Sequence, residues 1–581
     1  MADSAPDRAS GAVARRPALW RSLAGLAGFA ACGLVDALPR PSFAGPIDLA
    51  AGGLVTPDPI KGGIAASGVA VELVELVRAP RSAADDARAR LNFLYHAGDY
   101  SGRLFTCDSR GLLYSLEPGV RKLRVALDLR RVRGPAFLGA YALMGLRGFA
   151  FHPDHWRPGR PGFGRLYTTH TERPQGVARF SGPYAAHHHD VVSEWLLDPA
   201  DPGRVQPGSR RELLRIAQWG RQHNTDQLMF DPHLQPGMPG YGMMLIGVGD
   251  GGNNPPHPDP YDQAQNPGLT PGKILRIDPL PQPDGAPYGI PADNPFVGRA
   301  GIHPEIFALG LRHPQNFSYD IATGGRPILA DIGQHQIEEI NLLLPGANYG
   351  WPLREGTFVT DRLRQDDLYA LPADDASRGF TYPVAQYDHG EGVAITGGFV
   401  YRGASVPALQ GHYLFGDLVN GRIFHVPVSE LILGRQAAFA ELTLLRNGTP
   451  VTMMQLMPGR QHRVDLRFGQ DQAGEVYLTS KRDGWIRGLR GVPCGNERCD
   501  VDGLRYIASY PDLILALGAD AAAGQRHFTT TGQFEGRRPY GFSVLAYLAR
   551  NPDLQTAFGP DVQAATVHYI RYGYREGRSA A

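Results

Sequence analysis

The sequence predicts an all-β fold, a six-bladed β-propeller, followed by a small C-terminal α-helical repeat module. Three observations lead to this prediction. The 581 residues include 73 glycines and 49 prolines, which suits a chain that turns often between short strands. One strand-rich unit recurs six times between residues 70 and 492, and a different unit recurs twice between 503 and 581. A large β-sandwich has the same strand content, but six evenly repeated units favour the propeller.

Each copy of the strand-rich unit begins at a turn and continues through two short strands rich in Leu, Ile, Val, Tyr and Phe. The copies begin near Gly102, Gly164, Gly242, Arg326, Gly411 and Gly474. Radial closure of such antiparallel units leaves only short strand edges exposed. We therefore assign residues 70–492 to the propeller.

The N-terminus has the parts of an export signal. Basic residues lie between positions 15 and 21, an apolar stretch covers residues 23–35, and small residues precede a cleavage point before Gly45. We predict a signal peptide at 1–44, a linker at 45–69, and a periplasmic or secreted protein. A disordered tail with a short buried helix is the alternative.

Charge and cysteines narrow the function classes. The formal net charge is +1, so no broad field draws the chain to nucleic acid or acidic lipid. Cys494 and Cys499 lie close together in the linker 493–502, and an oxidising compartment favours a disulfide between them. Two thiols, or half of a metal site, are the alternatives. The sequence contains no CxxCH haem motif, phosphate-binding loop or serine nucleophile elbow.

The last segment, residues 503–581, contains two related copies. Tyr506 of the first copy matches Tyr547 of the second, and Arg537 matches Arg578, each at an offset of 41 residues. Each copy is predicted to form two short helices, because a Pro-Asp pair starts one helix and a glycine ends it. The copies carry no recognisable chemistry.

The first candidates for chemistry lie between residues 222 and 252. His223 stands in the segment QHNTDQLMFDP, and Asp250 stands in GVGDGG at the end of the next predicted strand. A carboxylate bonded to an imidazole fixes its tautomer and favours its charged form after proton capture. We predict His223 as a general base and Asp250 as its partner; a tight turn beside a core histidine is the alternative. The run HHHD at 187–190 is interpreted as a solvated loop, since adjacent residues of an extended segment point in opposite directions.

Further segments extend this pattern in order along the chain. They are LRGFAFHPD from Leu146, GKILRID from Gly272, EIFALGLRHPQNFSYD from Glu305, ADIGQHQIEEINLLLPGANYGWP from Ala330 and ITGGFVYRG from Ile395. Together with the His223 and Asp250 segments, they resemble the glucose/sorbosone dehydrogenase family, whose members are propellers that use pyrroloquinoline quinone (PQQ) and calcium. The resemblance covers most of residues 70–490.

The resemblance implies catalytic roles for three residues. His223 matches the base that takes the proton of the sugar's anomeric hydroxyl while hydride passes to the quinone. Asp250 matches the carboxylate partner of that base. Arg312 matches the arginine over the quinone oxygens, which stabilises the negative charge that develops on reduction.

The resemblance also implies two sets of binding residues. The cofactor-binding set is Arg312, His313, Gln315, Gly333, Gln334, Arg463 and Lys481. The calcium set is Gly333 and Gln334, through backbone carbonyls beside the cofactor, and Glu339 and Tyr349, at a second structural site. Backbone and carboxylate oxygens are suitable calcium ligands.

The sequence departs from the family pattern in the same loops. Thr225 and Asp226 replace small residues, and Asp226 would put negative charge near an anionic cofactor. His313 stands where the family has asparagine. Further departures fall where the family has cations for the cofactor. Val419 replaces a lysine, and Val464 interrupts an arginine pair for which Arg463 and Arg467 are the nearest candidates. Lys481 is a candidate to replace the missing positive charge.

The sequence therefore predicts a quinoprotein sugar dehydrogenase-like oxidoreductase that oxidises an aldose or a related sugar or alcohol. Electrons would pass to a separate acceptor such as a cytochrome or quinone, because the chain has no haem motif. Two alternatives stay open. One is a calcium-dependent hydrolase or lactonase that keeps His223 and Asp250 without the quinone. The other is a non-catalytic propeller that binds carbohydrate or protein, since a fold does not settle function.

Overall fold

The computed structural model describes residues 52–139, 143–252, 262–334, 336–361, 366–459, 462–492, 501–538 and 541–580. All of them belong to one compact unit that spans Pro41–Ala581. The predicted signal peptide, residues 45–51 of the following linker, and both Cys494 and Cys499 lie outside the described residues.

The regular secondary structure of the described residues is mostly β-strand, which confirms the predicted all-β character of residues 70–492. The strands, in chain order, begin with β1 (Ala65–Arg78) and then fall into six antiparallel units. The first unit holds β2 (Leu91–His96), β3 (Leu104–Asp108), β4 (Leu112–Leu116) and β5 (Arg124–Asp128), and helix α1 (Leu129–Arg133) follows it. The second holds β6 (Leu146–Phe151), β7 (Arg165–Glu172), β8 (His188–Asp198) and β10 (Arg211–Gln218), with β9 (Asp201–Val205) attached to β8.

The third unit holds β11 (Thr225–Phe230), β12 (Met244–Val248), β13 (Lys273–Ile277) and β14 (Ile306–Leu309). The fourth holds β15 (Asn316–Ser318), β16 (Ile328–Asp331), β17 (Ile337–Leu342) and β21 (Ala385–Asp388), and a small sheet of β18 (Arg354–Glu355), β19 (Phe358–Thr360) and β20 (Leu368–Tyr369) is inserted in it. The fifth holds β22 (Ile395–Val400), β23 (His412–Asp417), β24 (Ile423–Pro427) and β25 (Ala440–Arg446), with β26 (Thr449–Pro450) on β25; helix α2 (Met453–Leu456) follows. The sixth holds β27 (Leu466–Gln470), β28 (Val476–Ser480), β29 (Trp485–Gly491) and the distant strand β1.

Strand β1 joins the start of the β region to its end. It pairs antiparallel with β29, from Val71 opposite Gly491 to Arg78 opposite Trp485, and parallel with β25. The N-terminal strand therefore completes the sixth unit instead of starting a new one.

The first strands of the six units are called the inner strands. They are β2, β6, β11, β15, β22 and β27. Each inner strand contacts the next, and β27 contacts β2, so the inner strands form a closed cycle. Their middle residues supply aromatic side chains to the core: the Phe93 ring lies 5.4 Å from that of Phe149 and 6.5 Å from that of Phe399. Burial of rings this large contributes about 2–3 kcal/mol each, which stabilises the cycle of strands.

The last described segment is helical. Its helices are α3 (Gly503–Ala508), α4 (Pro511–Leu517), α5 (Ala521–His527), α6 (Val544–Arg550), α7 (Pro552–Phe558) and α8 (Val562–His568). Each copy thus has three short α-helices, and the prediction of two was wrong. Pro511 and Pro552 each take the first position of a new helix, because proline lacks the N–H that would continue the preceding one.

The two copies repeat contacts as well as sequence. The Tyr506 hydroxyl lies 3.1 Å from His527 Nδ1, and the Tyr547 hydroxyl lies 2.9 Å from His568 Nδ1. These residues pack in a core of their own. All helices in the described part of the chain are short, and none combines the length and apolarity that a membrane-crossing helix requires.

Candidate functional site

The site is built around His223, which immediately precedes the inner strand β11. His223 has a φ of 49°, a left-handed conformation that is uncommon outside glycine and is often found at functional sites. Its Nδ1 lies 2.6 Å from Oδ1 of Asp250, just after β12. Gly249 permits this approach, because a Cβ there would stand 2.3 Å from the His223 carbonyl oxygen. The GDGG segment therefore turns the chain and also places Asp250 within hydrogen-bond distance of His223.

Asp250 is held by further donors. The Gly252 amide donates to Oδ1 at 2.8 Å and the Trp351 indole Nε1 donates to Oδ2 at 2.9 Å. A carboxylate so placed accepts the His223 Nδ1–H and fixes the tautomer with a lone pair on Nε2. Within the described part of the chain, His223 makes no other side-chain hydrogen bond.

Electrostatics keeps this imidazole neutral. Burial, and then the nearby Arg312 cation, lower the pKa of His223 to about 3. Burial alone would raise the pKa of Asp250, but His223 and its hydrogen bond hold that pKa at about 2. A neutral imidazole beside an ionised carboxylate is the protonation state that a general base needs.

Arg312 reaches the same place from the loop between β14 and β15. Its Nη1 donates to the Ile332 carbonyl at 2.9 Å and its Nε donates to Gln334 Oε1 at 2.8 Å. Its guanidinium also lies 5.6 Å from the centre of the Trp351 ring. Trp351 therefore links Arg312 to Asp250. Trp351 lies in the segment GANYGWP, and its role was not predicted from the sequence; its N–H donor and its ring face were the available signals.

His313 and Gln315 follow Arg312 into the site. The His313 ring stacks on that of His223, with centres 4.5 Å apart and planes 22° apart. His313 Nε2 lies 2.7 Å from Asp226 Oδ2. Gln315 is buried, and its Oε1 has no hydrogen-bond partner among the described residues. The predicted catalytic trio and His313 are thus brought together, and the Gln315 amide donates to the His313 carbonyl at 2.7 Å.

Asp226 does not carry the uncompensated negative charge that the sequence suggested. It lies in strand β11 and forms a buried ion pair with Arg147 of β6, in addition to its bond with His313. Burial would raise the pKa of Asp226, but Arg147 and His313 hold it well below its usual range. Arg147 is a site residue that sequence reasoning missed, although it lies in the quoted segment LRGFAFHPD.

Arg147 belongs to a buried group of three cations, here called the cation cluster: Arg147, Arg467 and Lys481. Lys481 is 3% exposed, and neither its Nζ nor Nη1 of Arg147 has a hydrogen-bond partner among the described residues. Burial lowers the pKa of Arg467 to about 10 and that of Lys481 well below its usual value. The buried carboxylates among them are Asp226 and Asp465, so positive charge is in excess. Buried, unpartnered cations are costly, and an anionic group placed against them would offset that cost.

The other predicted cofactor cation lies apart from this cluster. The Arg463 side chain is 42% exposed and pairs with Asp465 at 2.7 Å. Lys481 instead enters beside Asp465, through a backbone bond of 3.2 Å between its amide and the Asp465 carbonyl. The turns around Val419 and Val464 are themselves joined by a 2.7 Å backbone bond.

The predicted calcium residues are committed to protein contacts. Oε2 of Glu339 accepts from the Asn341 side chain at 3.1 Å, and the Tyr349 hydroxyl donates to the Leu342 carbonyl at 2.7 Å. The amide of Gln334 donates to Glu355 at 2.7 Å. In the described ranges, no group of three or more His, Cys, Asp or Glu side chains is arranged to hold a metal ion. Glu339 and Tyr349 thus already have hydrogen-bond partners within the protein, and their place in a second calcium site stays a prediction, as does that of the Gly333 and Gln334 carbonyls.

The HHHD run is part of the site's support, and its interpretation as a solvated loop was wrong. Its last three residues begin strand β8 and are buried. His188 Nε2 lies 2.7 Å from the Asn224 side-chain oxygen, and Asp190 accepts from the Thr225 amide at 2.6 Å. Side chains alternate as expected, so His188 and Asp190 share the face that supports the residues next to His223.

Comparisons with known proteins show which family and which chains this sequence is similar to. Residues 210–484 match the family model "Glucose / Sorbosone dehydrogenase". The HIPL1 protein of Arabidopsis thaliana is 29% identical over 315 residues, which cover 48% of this chain and 43% of that protein. The human Hedgehog-interacting protein is 27% identical over 388 residues, 66% of this chain and 48% of that protein. The chain thus spans less than half the length of these relatives.

An enzyme and a solved structure extend the comparison. The Escherichia coli aldose sugar dehydrogenase YliI is 30% identical over 265 residues, 45% of this chain and 58% of that protein. The crystal structure of the soluble aldose sugar dehydrogenase of E. coli, in its apo form, superposes with a TM-score of 0.50 at 18% identity, covering 73% of this chain and all of that one. This likeness concerns the fold. The resemblance first drawn from the motifs is confirmed: residues 210–484 match the model of the glucose/sorbosone dehydrogenase family.

Proposed function

We propose that this chain is an exported oxidoreductase that uses PQQ to oxidise an aldose or a related sugar or alcohol. The observation that carries the proposal is His223: a buried, neutral imidazole, oriented by Asp250, with Nε2 unbonded within the described residues. The family match and the relative named as an aldose sugar dehydrogenase support the substrate class. We also infer that the six antiparallel units are the blades of a propeller, because the inner strands contact one another in a closed cycle.

In this proposal His223 removes the hydroxyl proton of the substrate at Nε2. The Asp250 carboxylate then stabilises the imidazolium through the Nδ1–H bond. When bound, PQQ would supply a quinone that accepts a hydride from the carbon that bears this hydroxyl. Arg312, held by Gln334 and Trp351, places a fixed positive charge beside His223, and such preorganised charge is worth more in a buried site than in water.

The residues present fit an anionic cofactor. Among the described residues, Arg147 and Lys481 of the cation cluster have donors without a partner, and Gln315 has an acceptor without one. Arg467 adds a third buried positive charge. These cations replace the lysine and the arginine that are absent at Val419 and Val464. We propose that the Gly333 and Gln334 carbonyls contribute to a calcium ion that holds the cofactor, and that a separate cytochrome or quinone accepts the electrons.

Titration of PQQ into the purified chain, with calcium present, tests the cofactor. We expect saturable binding in calorimetry, and about 10- to 100-fold weaker binding for Lys481→Met, because a hydrogen bond to a charged group contributes about 1.5–3 kcal/mol. Lys122→Met, an exposed lysine of the same charge, is the matched control and should bind as the unchanged protein does.

A dye-linked sugar oxidation assay on the same preparations tests the base. We expect His223→Ala to bind PQQ but to lose turnover by about 100- to 10,000-fold, the usual contribution of general base catalysis. Full turnover in this variant would refute the assignment of His223.

A non-catalytic binding propeller is the second candidate. The human Hedgehog-interacting protein, which matches 66% of this chain, is named for an interaction with Hedgehog. Absence of PQQ binding at about 100 μM, a limit near 5.5 kcal/mol, would favour this candidate, in which the propeller binds a carbohydrate or protein partner.

A further inference from the structure

Two histidine–carboxylate pairs lie side by side in the candidate site. The first is His223 with Asp250, at 2.6 Å, and the second is His313 with Asp226, at 2.7 Å. The two imidazole rings stack, with centres 4.5 Å apart and planes 22° apart. All four side chains are at most 7% exposed. One such pair is sufficient for a general base, so the second pair requires a separate explanation.

The two members of the second pair depend on each other. The sequence departs from the family pattern at both positions, since His313 stands where the family has asparagine and Asp226 stands where it has a small residue. In the structure these two departures meet in one hydrogen bond. A small residue at position 226 would leave the buried Nε2 of His313 without this partner, and a buried polar group without a partner costs free energy. The two positions therefore act as one unit.

Arg147 completes this unit from the neighbouring inner strand. Its guanidinium pairs with Oδ1 of Asp226, while Oδ2 of Asp226 lies 2.7 Å from Nε2 of His313. An ionised carboxylate only accepts hydrogen bonds, so His313 carries its proton on Nε2. The His313 ring is thus held by β11 through Asp226, and Asp226 is held by β6 through Arg147. Two strands, in addition to its own loop, fix the plane of this ring.

His313 is neutral in this arrangement. The charged and titratable groups around it are Asp226, Arg147, Arg312, His223 and, at its backbone amide, Asp331. Burial lowers the pKa of His313; Asp226 alone would raise it, but Arg147 and Arg312 oppose that effect. A carboxylate already paired with a guanidinium attracts a proton to a neighbouring imidazole less than an unpaired carboxylate would. Arg147 therefore helps to keep the second ring uncharged.

A neutral, flat partner suits the proposed base in two ways. Two imidazolium rings with centres 4.5 Å apart would repel each other strongly in a buried site, so a neutral His313 lets His223 accept a proton. The bond to Asp250 holds the His223 ring at one atom, Nδ1. Contact with the face of a second, fixed ring resists tilting of the imidazole about that atom. Nε2 of His223, the atom that would receive the proton, is thereby held in place.

We propose that His313 is a positioning residue for His223: its uncharged ring, held by Asp226 and Arg147, fixes the plane of the His223 imidazole. The proposal rests on the proposed function, in which His223 is the base. It gives the two departures at positions 226 and 313 one shared purpose. It also makes Arg147 part of the support of His223, in addition to its place in the cation cluster.

Nitrogen-detected NMR on the full chain, without PQQ, tests the charge of His313. In the unchanged protein we expect a neutral His313 ring at pH 7, with its proton on Nε2. In Arg147→Met, Asp226 loses its cation and attracts the proton more strongly, so the pH at which His313 titrates should rise. Arg487→Met removes another buried arginine, 1% exposed and paired with Asp483, and should leave that pH unchanged. A charged His313 in the unchanged protein at pH 7, or the same titration in both arginine variants, would overturn the proposal.

Carbon relaxation of the His223 ring gives a second readout that leaves Arg147 in place. His313→Leu should increase the motion of the His223 ring, because the flat contact is lost. His313→Phe keeps a flat ring against His223 and should show the same motion as the unchanged protein. Equal ring motion in all three proteins would overturn the proposal.

The dye-linked assay on the same variants adds the consequence for turnover. We expect kcat to fall about 10- to 100-fold in His313→Leu, the order of loss that a misplaced reacting group causes, with KM nearly unchanged and a smaller fall in His313→Phe. Failure of the oxidoreductase proposal would remove turnover from every variant and from the unchanged protein. It would not affect either NMR result, so the two failures are distinguishable.

Discussion

The chemistry proposed at the residue scale depends on which nitrogen of His223 carries the proton. Asp250 accepts from Nδ1, and Gly252 and Trp351 in turn fix Asp250. Removing the carboxylate charge would free the imidazole to change tautomer, because an amide can either donate or accept. The left-handed backbone of His223 is strained, and a glycine at position 249 loses more conformational entropy on folding than another residue would. Both features are present where they permit the contact between His223 and Asp250.

The protonation of His223 can be measured directly. Because its pKa is lowered to about 3, we expect nitrogen-detected NMR to show a neutral ring, protonated on Nδ1, throughout pH 5–8. In Asp250→Asn the Nδ1–H preference should be lost, with the other histidine signals unchanged. A His223 signal that titrates within this range in the unchanged protein would contradict the assignment.

At the scale of elements, the site depends on strands that are far apart in sequence. Strand β6 supplies Arg147, β11 supplies Asp226 and the loop after β14 supplies His313. The inner strands begin at the same end of the cycle. Side chains near their first residues, such as Arg147 in β6 and Asp226 in β11, therefore lie close together. Such buried ion pairs are weak evidence for net stability, but removal of one partner leaves a buried charge unpaired.

Asp226→Asn therefore should destabilise the protein strongly. The Arg147–Asp226 side chains are 1% and 2% exposed, and loss of one partner of a buried pair costs about 3–5 kcal/mol. Urea denaturation measures the change in the free energy of unfolding. Asp201→Asn breaks a partly exposed pair with Arg124, at 2.7 Å, and should cost at most about 1 kcal/mol. Equal losses in the two variants would show that the network is not a structural element.

For the whole molecule, the closed cycle places one set of buried histidines at each end. His223 lies at one end, and His96 and His152 lie at the other. The titratable groups near His96 are Asp99 and His155. Those near His152 are Asp154, His155 and Arg165. Those near His223 are Asp250, Arg312 and His313. In each case burial is the largest influence and lowers the pKa, to about 3 for His96 and His223 and about 4 for His152.

This arrangement makes the folded protein less stable in mild acid. Below about pH 6.5 the unfolded histidines bind protons that the folded ones do not, so their contribution to the free energy of unfolding falls as the pH falls towards 4. We expect the loss of unfolding free energy between pH 7 and pH 5 to be smaller in His152→Asn, by about 1–2 kcal/mol. Between pH 7 and 9 the difference between variant and parent should stay constant. Identical pH dependence in both proteins would mean that His152 has the same pKa in the folded and unfolded states.

Much of this organisation was predictable from local sequence. Each predicted copy of the strand-rich unit lies in one of the six antiparallel units, since alternating turns and short apolar strands specify hairpins locally. His223, Asp250 and Arg312 were identified through motifs. The number of helices per C-terminal copy was predicted wrongly. Pro511 was recognised as the start of a helix, but the short helix that ends just before it was not recognised as a separate one.

The local elements, the duplicated tail and the residues with motif signals could all be predicted from the amino-acid order. The contacts of the site could not: the order does not reveal which cations meet there, that Arg147 neutralises Asp226, or that Trp351 joins Arg312 to Asp250. These residues lie far apart along the chain. Hydrogen bonds within a turn follow from neighbouring residues, whereas a charge network forms between strand ends that come together only when the cycle of inner strands closes.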